Sequence, residues 1–93
     1  MLSRTPLVKK EDISLWEVNE AFSAVALANA KLLDLDLSVV NPHGGGVSLG
    51  HPLGCSGARI TGAMAIHLKP GQYGCASVCN GGGGASAILV QRI

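Results

Sequence analysis

Four consecutive glycines occupy positions 81–84, between two mostly apolar runs. Neither a helix nor a strand passes through such a stretch, because fixed glycine loses more backbone freedom than any other residue. The chain has to break there. Tyr73–Cys79 and Ala85–Gln91 then read as two strands, a hairpin joined across Asn80 and the glycines. A second break comes earlier, at Asn41-Pro42-His43-Gly44-Gly45-Gly46, which no regular element tolerates.

The remaining segments can be read between these breaks. Ile13–Val18 alternates apolar with polar and predicts a short strand. Residues 20–33 are rich in helix formers, with Asn19 as the N-cap and Asp34-Leu35-Asp36 as the stop. That helix is apolar nearly all round, so it is expected to lie buried between layers. Residues 37–40 read as a brief apolar strand. A second helix is predicted over residues 52–68, with Leu53, Gly57, Ile60, Met64 and Leu68 on one face and Pro70-Gly71 closing it. The order is strand, helix, strand, helix, strand, strand. Helical crossovers join parallel neighbours and the last two strands form a hairpin, so the fold class is α/β with a mixed sheet.

Composition bounds the function. At 93 residues the chain is one domain, burying roughly 60% of its unfolded surface. Hydrophobic residues make up 47% and charged ones 14%, which favours a packed core over disorder. With Phe22, Trp16 and Tyr73 the only aromatics, that core must be built from Ala, Val, Leu and Ile. The net charge of +1 is scattered, with no basic stripe and no aromatic platform for nucleic acid. No apolar run approaches the ~20 residues of a membrane span. The first ten residues carry Arg4, Lys9 and Lys10 but no signal-peptide core, and Gln91-Arg92-Ile93 is not a peroxisomal address. An intracellular location, mitochondrial or cytosolic, is expected. Cys55, Cys75 and Cys79 are an odd set with no secretory context and no second ligand pair at zinc spacing, so neither a disulfide framework nor a metal site is expected.

Three clusters lie where strands end, the usual place for sites in α/β sheets. They are Asn19-Glu20-Ala21-Phe22, the glycine-dense stretch from Gly44 through His51-Pro52 to Gly57, and Cys79-Asn80 with the four glycines. Each has a bland explanation: a helix cap, an awkward turn, a buried thiol. Together they place a histidine at a helix start after unobstructed backbone, and a cysteine beside backbone N–H groups with no side chains to shield them. Cysteine with histidine is an acid/base or nucleophile pair, and bare N–H donors suit an oxyanion. The chemistry indicated is acyl transfer.

At these residues the sequence resembles a known family. Asn19-Glu20-Ala21-Phe22, Gly50-His51-Pro52-Leu53-Gly54 with Ser56-Gly57-Ala58-Arg59, and Cys79-Asn80-Gly81-Gly82-Gly83-Gly84 resemble the three active-site motifs of the thiolase C-terminal domain, in order and at about the family's spacing. The similarity covers residues 12–93, and residues 1–11 are set apart as a non-family or disordered start. The Cys-Asn-Gly-Gly-Gly-Gly-Ala-Ser-Ala ending is typical of the acetoacetyl-CoA thiolases (acetyl-CoA acetyltransferases), whereas Asn41-Pro42 and Gly50-His51-Pro52-Leu53-Gly54-Cys55 also resemble longer-chain 3-ketoacyl-CoA thiolases, which leaves the chain-length preference open. The resemblance implies thiolytic cleavage or Claisen condensation of 3-ketoacyl-CoA and acetyl-CoA, as in fatty acid β-oxidation or ketone body metabolism.

It also implies roles. His51 would activate a nucleophilic cysteine and, through Nε2, help bind the thioester oxygen. Asn19 would hold a water completing that oxyanion hole. Cys79 would move the proton at the substrate α-carbon, and the Gly81 N–H would hold the acyl-enzyme oxygen. Ser48 and Val47 would approach the pantetheine arm of coenzyme A, a substrate rather than a tightly bound cofactor. In some mitochondrial relatives the Val47 position also gives a carbonyl to potassium.

Two departures stand out. Gly46 replaces a usual Ala, which would loosen the loop that positions His51. The family's acylated cysteine and its first strand and helix have no counterpart in the sequence, so the sheet should leave an edge or apolar surface exposed. The isolated chain is expected to be inactive, to self-associate, and to need a thiolase N-terminal half or thiolase-like subunit. The alternative is a non-catalytic module binding CoA esters or a thiolase partner. An esterase reading of His43-Gly44-Gly45-Gly46 fails because Ser56 lacks flanking glycines two positions away on both sides. A phosphate-loop reading of residues 81–84 fails because they lead into a strand and carry no Lys.

Overall fold

The structure, a computed structural model, describes residues 8–80 and 82–93. Strand β1 (Ile13–Val18) leads to helix α1 (Ser23–Leu32), a 3-10 turn at Leu37–Val39, a one-turn helix α2 (Gly46–Leu49) and helix α3 (Ser56–His67). Strands β2 (Tyr73–Cys79) and β3 (Ala85–Gln91) complete a three-stranded sheet in the order β1-β2-β3. β1 runs parallel to β2, and β3 returns antiparallel to it. The mixed sheet and the bounds of all three strands agree with the sequence reading.

The sheet is covered on both faces. Trp16 and Val18 pack with Ala26 and Ala30 of α1 and with Val40. Leu15 and Ala76 pack against Ile60, Met64 and Leu68 on the α3 side. The close approach of α3 requires Gly74 in β2, because a Cβ there would lie 2.5 Å from the Met64 sulfur. Trp16 is the largest side chain of a core otherwise built from aliphatic residues, Met64 and Cys75, as the composition requires.

Four local expectations are corrected. Asn19 does not cap α1. Its N–H continues the ladder to the Ser77 carbonyl at 2.9 Å, the chain stays extended, and Phe22 is the N-cap. The helix ends as read: Asp34 takes a left-handed φ of 54° and the Leu35 N–H bonds Ala30 O at 2.8 Å. Nor is α1 buried all round. Only Ala26 and Ala30 are fully buried, while Leu27 and Leu32 face outward, because among the described residues one sheet face alone covers the helix.

The expected strand at residues 37–40 is a 3-10 turn, fixed by the Asp36 carboxylate accepting from the Ser38 N–H, and just Val40 bridges to Trp16. Beyond that bridge Asn41 adopts a φ of 48° and its carboxamide takes over the pairing. Oδ1 accepts from Val18 N–H and Nδ2 donates to Val18 O, each at 2.8 Å. Finally, α3 begins at Ser56 rather than at residue 52, leaving Leu53 in the preceding loop and exposed.

The start set apart at residues 1–11 falls partly outside the described residues. Within them, Val8 joins the α1-side core and Lys10–Asp12 forms a 3-10 turn. No helix among the described residues is long and apolar enough to cross a membrane.

Candidate functional site

The parallel pairing of β1 and β2 brings their C-terminal ends to one edge of the sheet. Asn19 follows β1 there, and Cys79 closes β2 opposite Ala85. The loop entering α3 delivers His51 to the same edge, so the ring does not open the helix as expected but lies five residues ahead of it. Gly50 makes that placement possible with a φ of 89°, which a side chain would strain.

Both ring nitrogens of His51 are engaged. Nδ1 lies 2.6 Å from the Ser56 hydroxyl and Nε2 lies 3.3 Å from Asn19 Nδ2. Ser56 in turn donates to Pro52 O at 3.3 Å. A single proton direction satisfies the whole chain. The Nδ1–H donates to Ser56, Ser56 donates to Pro52, and Nε2 accepts from the Asn19 amide. This arrangement fixes the ring plane and points Nε2 at Asn19. Ser56 and Asn19 are both buried, so the bonds are shielded from water.

Asn19 Oδ1 is buried and finds no donor among the described residues. A buried acceptor left unmet costs about 1–3 kcal/mol, so this atom is suited to a donor that the protein does not itself supply. Cys79 is exposed at the strand end, as an acid/base thiol must be, and forms no hydrogen bond to His51 or Asn19 among the described residues. Cys75, by contrast, is buried in the sheet, where desolvation pushes its thiol up to about 11 and keeps it inert. Gly81 lies outside the described residues.

The glycine run differs from the row of free donors inferred above. Asn80 Oδ1 accepts from the N–H of Gly82 at 3.0 Å and of Gly84 at 3.1 Å, so these two donors are already used. Asn80 therefore shapes the loop that leaves Cys79. Its signal was present as an Asn two residues before a glycine, the pattern of an Asx turn.

Val47 and Ser48 sit on α2, beside a cleft of about 430 Å³ also lined by Glu20, Leu27 and Leu37. None of Asn19, His51 and Cys79 lines that cleft. The Ser48 hydroxyl donates to Gly45 O at 3.1 Å and keeps its lone pairs for a ligand. The Val47 carbonyl accepts no hydrogen bond among the described residues, so it fits as one potassium donor, with further donors to come from elsewhere. No group of three or more His, Cys, Asp or Glu side chains able to hold a metal occurs among the described residues.

Two carboxylates escaped the sequence reading. Glu17 projects from β1 toward α3 and is only 2% exposed; burial raises its carboxyl above the usual range, and Arg59 and His67 pull it partly back. Glu20 accepts from Asn41 Nδ2 at 2.7 Å and from Val47 N–H at 3.1 Å, tying α2 to the end of β1.

Comparison with known proteins shows the family of the chain and its fold. Residues 1–92 match the family described as thiolase, C-terminal domain. Mouse mitochondrial acetyl-CoA acetyltransferase is 65% identical over 86 residues, which are 92% of this chain and 20% of that protein. The human mitochondrial protein of the same name is 64% identical with the same coverage. Among solved structures, an Ascaris suum thiolase in complex with coenzyme A superposes with a TM-score of 0.90 at 53% identity, over 92% of this chain and 22% of that one. The peroxisomal 3-ketoacyl-CoA thiolase of Saccharomyces cerevisiae, described as five layers built from two core domains of identical topology, gives 0.84 at 45% identity over 88% and 24%. The chain thus spans about a fifth of the length of the curated relatives it matches.

Proposed function

The chain belongs to the thiolase family through its C-terminal domain, and from that premise we propose that it supplies the histidine-and-cysteine half of a site that cleaves or forms 3-ketoacyl-CoA thioesters. Acetoacetyl-CoA and acetyl-CoA are the proposed substrate pair, in line with the names of the mouse and human relatives. Those names also support a mitochondrial location. The observation that carries the reading is the hydrogen-bonded chain Asn19–His51–Ser56, which holds Nε2 of the imidazole at the sheet edge where Cys79 emerges.

In thiolysis, Nε2 of His51 takes the proton of a cysteine thiol supplied from outside these 93 residues. The thiolate attacks the 3-keto carbon, and the electron pair of the breaking carbon–carbon bond goes to the α-carbon. The Cys79 thiol gives its proton to that carbon and afterwards recovers one from the incoming coenzyme A thiol, whose thiolate takes the acyl group while the first cysteine leaves and regains its proton from His51. Asn19 Oδ1 accepts from a water whose second proton points at the thioester oxygen, which also meets the unmatched demand of that buried acceptor. The Gly81 N–H is the proposed donor to the acyl-enzyme oxygen. Val47 and Ser48 are the proposed contacts to the pantetheine arm, and potassium, where bound, would neutralise charge beside the Val47 carbonyl.

The completing partner is a thiolase N-terminal half or a thiolase-like subunit. Outward-facing Phe22, Leu32 and Leu53 and the open edge of β3 give surface for it, or for self-association in its absence. The test is acetoacetyl-CoA thiolysis by the chain alone and mixed with a thiolase N-terminal half. Silence alone, turnover in the mixture, and loss of that turnover by 10³-fold or so with His51→Ala or Cys79→Ala are expected. A mixture whose turnover ignores both substitutions would overturn the proposal.

A further inference from the structure

Asn19 holds the His51 ring directly, and its neighbour Glu20 touches neither the ring nor Cys79. Its carboxylate instead reaches the segment that carries the ring. Oε2 accepts from Asn41 Nδ2 at 2.7 Å and Oε1 accepts from Val47 N–H at 3.1 Å. Asn41 is itself fixed to β1 by its N–H to Trp16 O and by both ends of its carboxamide to Val18. The segment before His51 is therefore held to the end of β1 by Asn41 itself and, further along at Val47, by the Glu20 carboxylate.

The glycines before α2 show how closely the clamp fits. A Cβ at position 45 would fall 2.4 Å from the Glu20 carboxylate carbon, and one at position 46 would fall 2.5 Å from the Glu20 carbonyl oxygen. The Glu20 side chain and carbonyl thus lie directly against the backbone at Gly45 and Gly46. From the clamped α2, the Gly50 N–H to Gly46 O bond at 2.8 Å continues directly into His51.

We infer that Glu20 is a positioning residue for His51, fixing the α2 segment so that the imidazole meets Asn19 in one orientation. A charge-assisted bond across this distance is stronger than a neutral one, and two of them converge on one carboxylate. The role rests on the thiolase reading only for its catalytic meaning; the clamp itself is intramolecular.

The test uses the 93-residue chain with Glu20→Ala and Glu20→Gln. Glu20→Ala removes both acceptors, whereas Glu20→Gln keeps one oxygen and turns an amide donor toward a second donor. Hydrogen exchange read by mass spectrometry tolerates self-association and resolves peptides. Exchange over residues 44–50 is expected to rise about tenfold in Glu20→Ala and less in Glu20→Gln, with β2 and β3 peptides unchanged. The ring nitrogen shifts of His51, read by nuclear magnetic resonance, are expected to move in the same graded order.

Uniformly faster exchange across all peptides, or unmoved His51 shifts in Glu20→Ala, would overturn the inference, since either result reduces Glu20 to a general contributor to stability. Both readouts are independent of turnover. A failed complementation assay therefore sinks the functional proposal without touching this one.

Discussion

Glu17 is a carboxylate placed where a strand facing α3 would ordinarily carry an apolar residue. Desolvation raises its carboxyl above 4.5, opposed by the charges of Arg59 and His67 and reinforced by Glu20. Because the folded state holds this proton more tightly than the unfolded one, its stability contribution is complete below the unfolded value and is lost as pH rises through the folded value. Glu17→Gln should flatten that part of the stability profile and leave the protein at least as stable as wild type at neutral pH. Urea midpoints measured from pH 4.5 upward check this, and parallel curves for the two proteins would contradict it. Among the candidate site residues, His51, Cys79 and Asn19 stand out in the sequence because their side chains can carry chemistry and their neighbours are distinctive, and the structure brings His51 and Asn19 into contact. Glu20, Ser56, Asn41 and Asn80 were not singled out, because they act through hydrogen bonds to backbone or to another side chain. The bonds of Glu20 and Asn41 join residues more than twenty positions apart, which no local pattern encodes.

At the scale of elements, glycine explains what could be read and two asparagines explain what could not. The strand bounds of β2 and β3 followed from the glycine run between them. The start of α1 was misread because Asn19 has the right chemistry for a cap, yet its backbone belongs to the ladder with Ser77. The strand expected at residues 37–40 was misread because the Asn41 side chain, rather than further backbone, completes the pairing with Val18. Gly74 is the glycine whose role is packing. Its missing Cβ lets Met64 and Leu68 reach the sheet, with contacts of 2.5 and 3.1 Å if a Cβ were present. Gly74→Ala should therefore overpack the α3 side by about 1–3 kcal/mol. In a domain of this size that lowers the melting temperature by at least ~4 °C per kcal/mol. An unchanged melting temperature would mean that Met64, fully buried here, repacks at no cost.

The whole molecule is one layer of sheet with a helix on each face, and its apolar residues are only partly used up. Phe22 is 75% exposed, Leu32 82% and Leu53 86%, values that a self-sufficient surface rarely shows side by side. With the chain covering about a fifth of its curated relatives, such surface fits an acid/base half that acts against a second portion of thiolase. The division of labour can be seen directly in where the acetyl group travels. The chain, mixed with a thiolase N-terminal half, is exposed to acetyl-CoA without a second substrate, quenched in acid and weighed component by component. The account predicts an acetyl adduct on the N-terminal half alone, abolished by His51→Ala in this chain. An adduct on this chain, at Cys79 or any other residue, would contradict it.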